Sequence, residues 1–342
     1  MKVLVTGGCG YIGSHTVWAL HDRGDEVLVI DDLSTGAREN LPIDAALFVA
    51  DIGDQQRVRD ILRTERPDAI LHFAGKILPA ESLTLPLIYF QNNTAKSISL
   101  IQAAIEFGTG HFIFSSTAAV YAARAGPVVN EDSETTPLTP YGRSKLMVEE
   151  VLRAAAAAHP MKAGVLRYFN VAGVDPKFRC GPAGPNPGHL IRTAIEVAVG
   201  QRPHLDVFGA DYDTHDGTCV RDYIHVSDLA LAHVAALDAL TSARATPFTI
   251  VNCGYGKGVS VLEVIATVER VVGASLPFAI TSRRPGDAPA LVADSARLHA
   301  LGWEPANNGL ETIISTAYNW ARGSALLHPA SDPGSPYGRR EG

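Results

Sequence analysis

The chain is poor in cysteine, with four in 342 residues. They are Cys9, Cys180, Cys219 and Cys253, which are widely scattered, form no CxxC pair and lie in no cluster with histidines. A disulfide framework and a structural zinc site both need closer spacing than this. We therefore interpret all four as reduced thiols and predict no metal site.

Long apolar runs and a surplus of positive charge are also missing. No stretch approaches the roughly 18 apolar residues of a membrane span, and the first residues lack the basic and apolar regions of a secretory leader. The formal net charge is −7, and the sequence contains no block rich in Lys and Arg. These absences predict no membrane partner, no nucleic acid partner and a cytoplasmic location.

Apolar material is plentiful, since 46% of the residues are hydrophobic and 19% are charged. Short, almost wholly apolar runs alternate with helical patterns through the first half of the chain, as in βαβ units. Runs without polar alternation are typical of strands that are covered on both faces. The predicted strands are residues 3–6, 27–30, 47–50, 69–73, 112–115 and 164–167. The pattern predicts an α/β fold with a doubly wound parallel sheet of the Rossmann type.

A change of pattern near Asn170 predicts a second lobe. Residues 181–190 are rich in Gly and Pro, which interrupt helices and central strands. We predict a first domain over residues 1–170, a smaller mixed α/β lobe over residues 171–323 with segments that return to the first domain, and a mobile tail over residues 324–342. Helices in the second lobe are predicted over residues 191–199, after Val259 and over residues 310–321.

Three glycines, Gly7, Gly10 and Gly13, directly follow the first predicted strand and precede a helical run over residues 14–20. In such a loop the first glycine permits a tight turn and the second allows backbone to approach a pyrophosphate. The third lets helix pack closely on strand, which leaves the helix N-terminus facing the phosphates. The context predicts a dinucleotide-binding loop, although glycines also serve plain turns.

Asp31 ends the second predicted strand, eighteen positions after Gly13. A carboxylate there accepts hydrogen bonds from the adenosine ribose and repels a 2′-phosphate, so the sequence favours NAD over NADP. Arg38 slightly weakens this preference. Asp51 and Ile52, just after the third strand, are candidates to flank the adenine.

Tyr141 and Lys145 lie four positions apart in a helix-forming segment, so they share one helical face. A tyrosine is a poor base at neutral pH unless a nearby cation favours its phenolate, and Lys145 supplies such a cation. The preceding strand end offers the hydroxyls of Ser115, Ser116 and Thr117 to orient a substrate hydroxyl. Together these residues predict proton chemistry beside a nicotinamide ring.

The sequence resembles the extended short-chain dehydrogenase/reductases, and within them the nucleotide-sugar epimerases, over nearly its whole length. The segments that carry the resemblance are VTGGCGYIGSHT (5–16), IDDLSTG (30–36), LHFAG (71–75), FSSTAAVY (114–121), PYGRSK (140–145), LRYFNVAG (166–173), DGTCVRDYIHVSDLA (216–230) and RRPGD (283–287). The first and fifth mark only the superfamily, whereas the last three are more specific. The resemblance implies bound NAD, a UDP-sugar substrate and interconversion of UDP-glucose and UDP-galactose through a 4-keto sugar.

The resemblance also assigns roles to single positions. Around NAD it implies Gly7, Gly10, Tyr11, Ile12, Gly13, Asp31, Asp51, Ile52, Phe73, Ala74, Asn92, Ser115, Tyr141, Lys145 and Tyr168. Around the UDP-sugar it implies Glu81, Ser82, Thr117, Tyr141, Asn170, His189, Leu190, Phe208, Arg221, Arg284, Asp287 and Leu291. Tyr141, Lys145 and Thr117 take the catalytic roles, with threonine keeping the hydroxyl that is usually a serine.

Some positions stay open at this point. The KILPAES loop departs from the family pattern, so Lys76 is left unassigned between a cofactor contact and none. Arg221 and Arg284 suit a diphosphate, but such arginines also pair with carboxylates, here Asp222 or Asp287. His72, His111 and His225 are interpreted as core or framework residues.

Three other functions compete with this one. A nucleotide-sugar dehydratase needs a proton-transferring acid pair after the threonine, where this chain has Ala118 and Ala119. A non-catalytic NAD-binding protein is expected to lose Tyr141 or Lys145, and this chain keeps both. An epimerase for another UDP-sugar, a UDP-N-acetylhexosamine or a UDP-pentose, also stays open.

The apolar faces of two helices predict a homodimer. One helix follows Tyr141 and the other covers residues 93–107, and the alanine run 154–158 permits close helix approach.

Overall fold

The structure is a computed structural model that describes residues 1–122, 125–183, 189–284 and 286–327. Its strands are β1 (Lys2–Thr6), β2 (Glu26–Asp31), β3 (Ala46–Val49), β4 (Ala69–His72), β5 (His111–Ser115), β6 (Val128–Val129), β7 (Lys162–Tyr168), β8 (Asn170–Ala172), β9 (Leu205–Phe208), β10 (Val220–His225), β11 (Phe248–Cys253), β12 (Gly258–Ser260), β13 (Phe278–Thr281) and β14 (Ala290–Ala293).

Its helices are α1 (Tyr11–Arg23), α2 (Gln55–Glu65), α3 (Pro79–Thr84), α4 (Pro86–Tyr89), α5 (Lys96–Glu106), α6 (Pro140–Ala158), α7 (Leu190–Ala198), α8 (Val226–Thr241), α9 (Val261–Val272), α10 (Ala296–Ala300) and α11 (Leu310–Leu327). A π-helical turn, Phe90–Ala95, joins α4 to α5. None of the helices in the described ranges is long and apolar enough to cross a membrane.

Within the described residues, seven strands form one parallel sheet in the order β11-β7-β5-β4-β1-β2-β3. The predicted fold class and the six predicted strands are confirmed. The strand order reverses between β1 and β4, and ligands of such sheets bind outside the carboxyl ends of the strands at this reversal. The glycine loop follows β1, and Phe73 and Ala74 follow β4, so both flank this crevice.

Both faces of the large sheet are covered by helices. Val3 and Val5 of β1 point into an apolar core that they share with α1 and α8. Leu4, the residue between them, points into a second core that it shares with α2, α5 and α6. Successive side chains of one strand thus enter two different cores, which explains why the strand sequence is apolar throughout.

A smaller lobe carries a second sheet in the order β12-β10-β14-β6, with β8 paired to β10. Helices α7, α9 and α11 enclose its apolar core. The two-residue strand β6 joins this sheet from before residue 170, whereas β11 and α8 pack in the layers of the large sheet. The division at residue 170 stays a prediction.

The last described helix is longer than expected. Helix α11 runs to Leu327, past the predicted end at residue 321 and into the segment predicted as a mobile tail. Alanine and leucine at positions 325–327 favour helix over coil. The prediction of a tail rested on the turn-rich residues that follow them. Residues 328–342 of that segment, and 184–188 of the Gly- and Pro-rich loop, lie outside the described residues.

Candidate active site

At two of its three glycines, Gly7 and Gly13, the glycine loop has no room for a side chain. A Cβ on Gly7 would lie 2.6 Å from the backbone nitrogen of Ala74, and one on Gly13 would lie 2.1 Å from the carbonyl oxygen of Gly7. Gly7 also has a left-handed φ of 70°, and Gly10 begins α1 without any side-chain cap. The free N–H groups at the start of α1 therefore face a narrow cradle of backbone, which suits a pyrophosphate.

Asp31 is buried at the end of β2, where its carboxylate accepts hydrogen bonds from the N–H groups of Cys9 (2.9 Å) and Leu33 (2.8 Å). Burial raises the pKa of Asp31, and these two N–H groups oppose the rise. The Arg38 guanidinium donates to the carbonyls of Pro42 and Ile43, both at 3.2 Å. The Arg38 guanidinium is thus engaged within its own loop in this structure.

The residues expected at the adenine end lie after β3. The Asp51 carboxylate forms an ion pair with Lys96 at 2.6 Å and accepts the N–H of Gly53 at 2.7 Å. Ile52 beside it is buried in the core. Asn92 lies in the π-helical turn, where its amide donates to Asn93 Oδ1 at 3.3 Å.

Tyr141 is held near the start of α6 by local sequence. Pro140 occupies the first turn, where its missing N–H costs nothing, and the Thr139 hydroxyl accepts the N–H of Gly142 at 3.2 Å. Tyr141 is buried, with 5% of its surface exposed, and its hydroxyl faces the Thr117 side chain. Burial raises the pKa of Tyr141, and the Thr117 hydrogen bond works against the rise.

The Thr117 side chain is fixed by a local hydrogen bond. Its Oγ1 accepts the N–H of Ala119 at 3.1 Å, and it caps the 3₁₀ turn Ala118–Val120. Because an accepted hydrogen bond occupies a lone pair and not the proton, the Thr117 hydroxyl can still donate to a phenolate.

Lys145 lies fully inside the protein one turn after Tyr141. Its Nζ donates to the carbonyl of Ser115 at 3.0 Å and lies 4.8 Å from the centre of the Phe114 ring. Burial lowers the pKa of Lys145 to about 8, and the charge of Glu149 opposes this fall. A buried ammonium beside a buried phenol is suited to stabilising the phenolate.

Tyr168 and Phe73 are connected through Ser115 and His233. Tyr168 faces the Ser115 side chain, whose Oγ lies 3.2 Å from His233 Nε2. His233 Nδ1 lies 2.8 Å from the Leu229 carbonyl, which can only accept, so Nε2 is the acceptor for Ser115. The His233 ring also packs against Phe73, with centroids 4.7 Å apart.

Four residues expected around the UDP-sugar form two separate pairs in the small lobe. Arg284 lies over the Phe208 ring at 3.7 Å, and Leu291 pairs in register with Arg221 across β10 and β14. Arg221 donates to the carbonyls of Val220 and Ala288, both at 2.9 Å, and lies 3.7 Å from Asp287.

Of the two carboxylates considered as partners of Arg221, Asp287 lies within ion-pair distance at 3.7 Å, whereas Asp222 is engaged by backbone. Asp222 accepts the backbone N–H groups of Tyr255, Gly256 and Ala293 at 2.9 to 3.1 Å. Burial raises the pKa of Asp222 to about 6, and these N–H groups oppose the rise.

Asn170 and His189 lie at the starts of β8 and α7. Asn170 begins β8 in register with Tyr223, and His189 precedes Leu190 at the start of α7. Burial lowers the pKa of His189 to about 4, and its Nε2 has no partner among the described residues. A neutral imidazole with a free lone pair can accept a hydrogen bond from a ligand.

The candidate residues after β4 have different hydrogen-bond partners. The Ser82 hydroxyl is buried and donates to the Pro79 carbonyl at 2.6 Å, so its proton is used within α3. Glu81 accepts the Tyr89 hydroxyl at 2.6 Å, and the Tyr89 ring meets Tyr141 edge-on at 6.3 Å. The Lys76 ammonium lies 3.9 Å from Glu81.

Sequence reasoning missed Tyr89 and His233, which lie behind Tyr141 and Ser115. Neither belongs to a local motif at the predicted site, since Tyr89 precedes the asparagines of the π-helical turn and His233 lies in an apolar helix. His72, predicted as a framework residue, lies between Thr6 Oγ1 and Ser97 Oγ at 2.7 Å from each.

Residues 3–254 match the NAD dependent epimerase/dehydratase family. A relative named UDP-glucose 4-epimerase from Azospirillum brasilense is 49% identical over 338 residues, which are 98% of this chain and 96% of the relative. A relative of the same name from Halalkalibacterium halodurans is 41% identical over 322 residues, 94% of this chain and 95% of that relative.

Solved structures agree with these matches. The UDP-glucose-4-epimerase from Stenotrophomonas maltophila, with bound NAD and formylated UDP-arabinopyranose, is 38% identical with a TM-score of 0.91, and the match covers 96% of this chain and 99% of that one. The UDP-Glc/GlcNAc 4-epimerase from Campylobacter jejuni is 42% identical with a TM-score of 0.83 and coverage of 94% and 99%.

Proposed function

The chain belongs to the NAD dependent epimerase/dehydratase family, and from this premise we propose that it interconverts UDP-glucose and UDP-galactose by inverting C4 of the sugar. It is an NAD-dependent enzyme whose relatives bear the name UDP-glucose 4-epimerase. The observation that carries the proposal is the contact of the buried Tyr141 hydroxyl with Thr117, one turn from the buried ammonium of Lys145.

Each of these side chains has a distinct role in the cycle. Tyr141 takes the proton of the sugar 4-hydroxyl, Thr117 bridges that hydroxyl and the phenol, and Lys145 holds the negative charge of the phenolate. The glycine loop and Asp31 would hold NAD, which would supply the removal of hydride from C4 and its return. Inversion requires the 4-keto sugar to turn over before C4 is reduced.

Different residues hold the cofactor and the UDP part of the substrate. The glycine loop and Asp31 hold the cofactor, whereas Asn170, Arg221 and Arg284 hold the UDP part while the sugar turns. The close backbone of the glycine loop and the uncapped start of α1 fit the cofactor pyrophosphate.

The absence of an acid pair separates this function from a dehydratase. Ala118 and Ala119 follow Thr117, and neither side chain can transfer a proton. Incubation of the purified protein with UDP-galactose and no added reductant is expected to yield UDP-glucose, whereas a 4-keto-6-deoxy sugar product would assign a dehydratase.

We expect the protein to purify with NAD bound, because a cofactor that re-reduces its own intermediate gains nothing from exchange. Protein denatured after purification should release about one equivalent of NAD or NADH per chain, as an order-of-magnitude expectation. Asp31→Ala should lower this content, and Asp32→Ala, whose carboxylate only accepts from Ser34, is the control. Release of NADP from the parent would overturn the role of Asp31.

Leu291 is expected to limit the size of the C2 substituent. A leucine there would crowd an acetamido group and leave its polar atoms without partners, which costs about 1–3 kcal/mol. UDP-N-acetylglucosamine should therefore be used at least roughly tenfold less efficiently than UDP-glucose in kcat/KM, and Leu291→Ser should narrow the gap.

Leu291 also packs against a small core that contains Phe169 and Val129. Leu291→Met, which keeps the volume, is therefore the control and should leave the substrate ratio unchanged. Equal efficiency of the parent enzyme toward both sugars would rule out the proposed role, as would a Leu291→Ser variant that loses only stability.

We expect a homodimer through α5 and α6. Several apolar side chains near these helices are exposed in a single copy, among them Ile98 (41%), Met147 (48%) and Leu87 (75%). Burying them in a helix bundle removes apolar surface from water. Light scattering at micromolar concentration should give twice the chain mass, and Met147→Asp should reduce it; a monomeric parent would refute the interface. The cytoplasmic location stays a prediction.

A further inference from the structure

A buried ion pair lies directly behind the candidate catalytic residues. The Glu149 side chain on α6 is fully buried, and the Arg167 side chain on β7 is 4% exposed. Arg167 Nη2 lies 2.6 Å from Glu149 Oε2, and Arg167 Nε lies 3.2 and 3.1 Å from the two carboxylate oxygens. The Ser116 hydroxyl donates to Glu149 Oε1. We call Ser116, Glu149 and Arg167 the buried triad.

Each member of the buried triad is next to a residue of the proposed site. Ser116 lies between Ser115 and Thr117 in the chain, and Arg167 directly precedes Tyr168. Glu149 follows Lys145 by one helical turn and Tyr141 by two, so all three lie on one face of α6. The triad therefore ties the helix with the phenol and the ammonium to the strand ends with the hydroxyls.

The far side of Arg167 is also fixed. Its Nη1 donates to the Glu131 carbonyl at 3.2 Å and to the Tyr121 hydroxyl at 3.3 Å. The Tyr121 hydroxyl donates in turn to Asn252 Oδ1 at 2.5 Å. The guanidinium thus has directional partners on two sides, and α6 cannot rotate or slide without breaking several charge-assisted hydrogen bonds.

Stability alone does not account for this arrangement. Removing two charges from water is costly, and well-packed apolar residues of similar volume are often as stabilising as a buried ion pair. What such a pair provides beyond apolar packing is direction, since each hydrogen bond fixes one donor against one acceptor. Catalysis depends on this kind of precision, because small misplacements of reacting groups slow a reaction strongly.

We propose that Ser116, Glu149 and Arg167 are positioning residues that hold Tyr141 and Lys145 in register with Thr117 and Ser115. The inference rests on the proposed function, which assigns the catalytic roles to Tyr141, Lys145 and Thr117. The buried triad acts through these residues and does not itself touch the sugar or the cofactor. Its Glu149 charge also opposes the fall that burial causes in the pKa of Lys145.

The decisive variant replaces both charges together, Glu149→Leu with Arg167→Met, so that no unpaired charge is left in the core. The unfolding midpoint is expected to stay within a few degrees of the parent or to rise. The kcat is expected to fall by roughly 10- to 100-fold, with KM for the UDP-sugar within about threefold, because only the register of the reacting groups changes.

Two single variants test the proposal if the double variant does not fold. Ser116→Ala removes one hydroxyl and should lower kcat about three- to tenfold at an unchanged unfolding midpoint. Glu149→Gln removes the charge that opposes the fall in the pKa of Lys145, so the alkaline limb of the kcat profile should move to lower pH. A merely structural role of the buried triad would lower the unfolding midpoint and leave the kcat of the folded variants unchanged.

Arg179→Met is the matched control. Arg179 is also partly buried in ion pairs, with Asp175 and Asp22 both at 2.8 Å, but none of these residues adjoins the catalytic group. Its variant should show any loss in the unfolding midpoint and little in kcat. Equal losses of kcat in this control and in the double variant would contradict a positioning role.

A second readout does not need turnover. Because Lys145, Ser115 and Tyr168 adjoin the proposed nicotinamide pocket, the double variant should bind NAD about tenfold more weakly by titration calorimetry. A parent that binds NAD but forms no UDP-glucose would refute the proposed function and leave this readout to decide the triad. A double variant that folds and keeps both kcat and NAD affinity within about twofold of the parent would overturn the inference.

Discussion

Replacing Tyr141 by Phe is expected to lower kcat by about 10² to 10⁴. The substitution removes only the phenolic oxygen, so the ring still fills its buried position against Tyr89. The Thr117 hydroxyl faces the Tyr141 phenol, so the substitution removes the oxygen that we propose accepts the proton of the 4-hydroxyl. Affinity for NAD and for the UDP-sugar should stay close to that of the parent.

The measurement for Tyr141 is the conversion rate at saturating UDP-galactose, compared with binding of NAD and of UDP. Tyr318→Phe is the matched control, because Tyr318 lies on α11, away from Tyr141, where its ring contacts Arg322. It should keep the parent rate. A loss of less than about fivefold for Tyr141→Phe would mean that another residue is the base.

Lys145→Met is expected to have a double effect: kcat falls by about 10² or more, while the folded protein becomes more stable at pH 7. The activity falls because the Tyr141 phenolate loses its cationic neighbour, and NAD is retained less well. Stability rises because a buried ammonium is replaced by an apolar side chain of similar length. We expect a gain of about 1 to 3 kcal/mol in the free energy of unfolding, less the hydrogen bond to Ser115.

The pH dependence of this gain follows from the pKa of Lys145. Burial lowers that pKa from 10.5 to about 8, so at pH 7 the folded state carries the charge at a cost. Between pH 8 and 10.5 the folded lysine has lost its proton while the unfolded one keeps it, so this group makes the parent more stable as pH rises. The stability difference between variant and parent should therefore shrink across that range.

Thermal unfolding of cofactor-free protein at several pH values measures this difference, because bound NAD would add its own stabilisation. Lys162→Met is the control, since Lys162 Nζ also donates to carbonyls, those of Leu240 (3.2 Å) and Ser242 (3.1 Å), but nearer the surface. It should bring no stability gain. A Lys145→Met variant that is less stable than the parent at pH 7 would contradict the role of burial.

The parts of the molecule that could be predicted are those encoded by local spacing. The glycine loop is local because Gly7 and Gly13 meet within one turn and helix start. The shared face of Tyr141 and Lys145 follows from helical periodicity alone. The strands of the large sheet are apolar because both faces are covered, and that is visible residue by residue.

The parts that could not be predicted depend on contacts between distant segments. His233 reaches Ser115 across 118 positions, and Asn252 reaches Tyr121 across 131. Glu149 and Arg167 are charged residues in apolar surroundings, and nothing in their own segments indicates that they pair. The two-residue strand β6 likewise carries too short a pattern to predict its pairing with β14.

The fate of the hydrogen on C4 tests the central claim most directly. UDP-galactose deuterated at C4 is incubated with the purified protein in ordinary water without added cofactor or reductant, and the product is analysed by mass spectrometry and NMR. If the hydride leaves C4 and returns to the same carbon, UDP-glucose forms with the deuterium retained at C4. UDP-glucose without deuterium, or no UDP-glucose at all, would contradict the account.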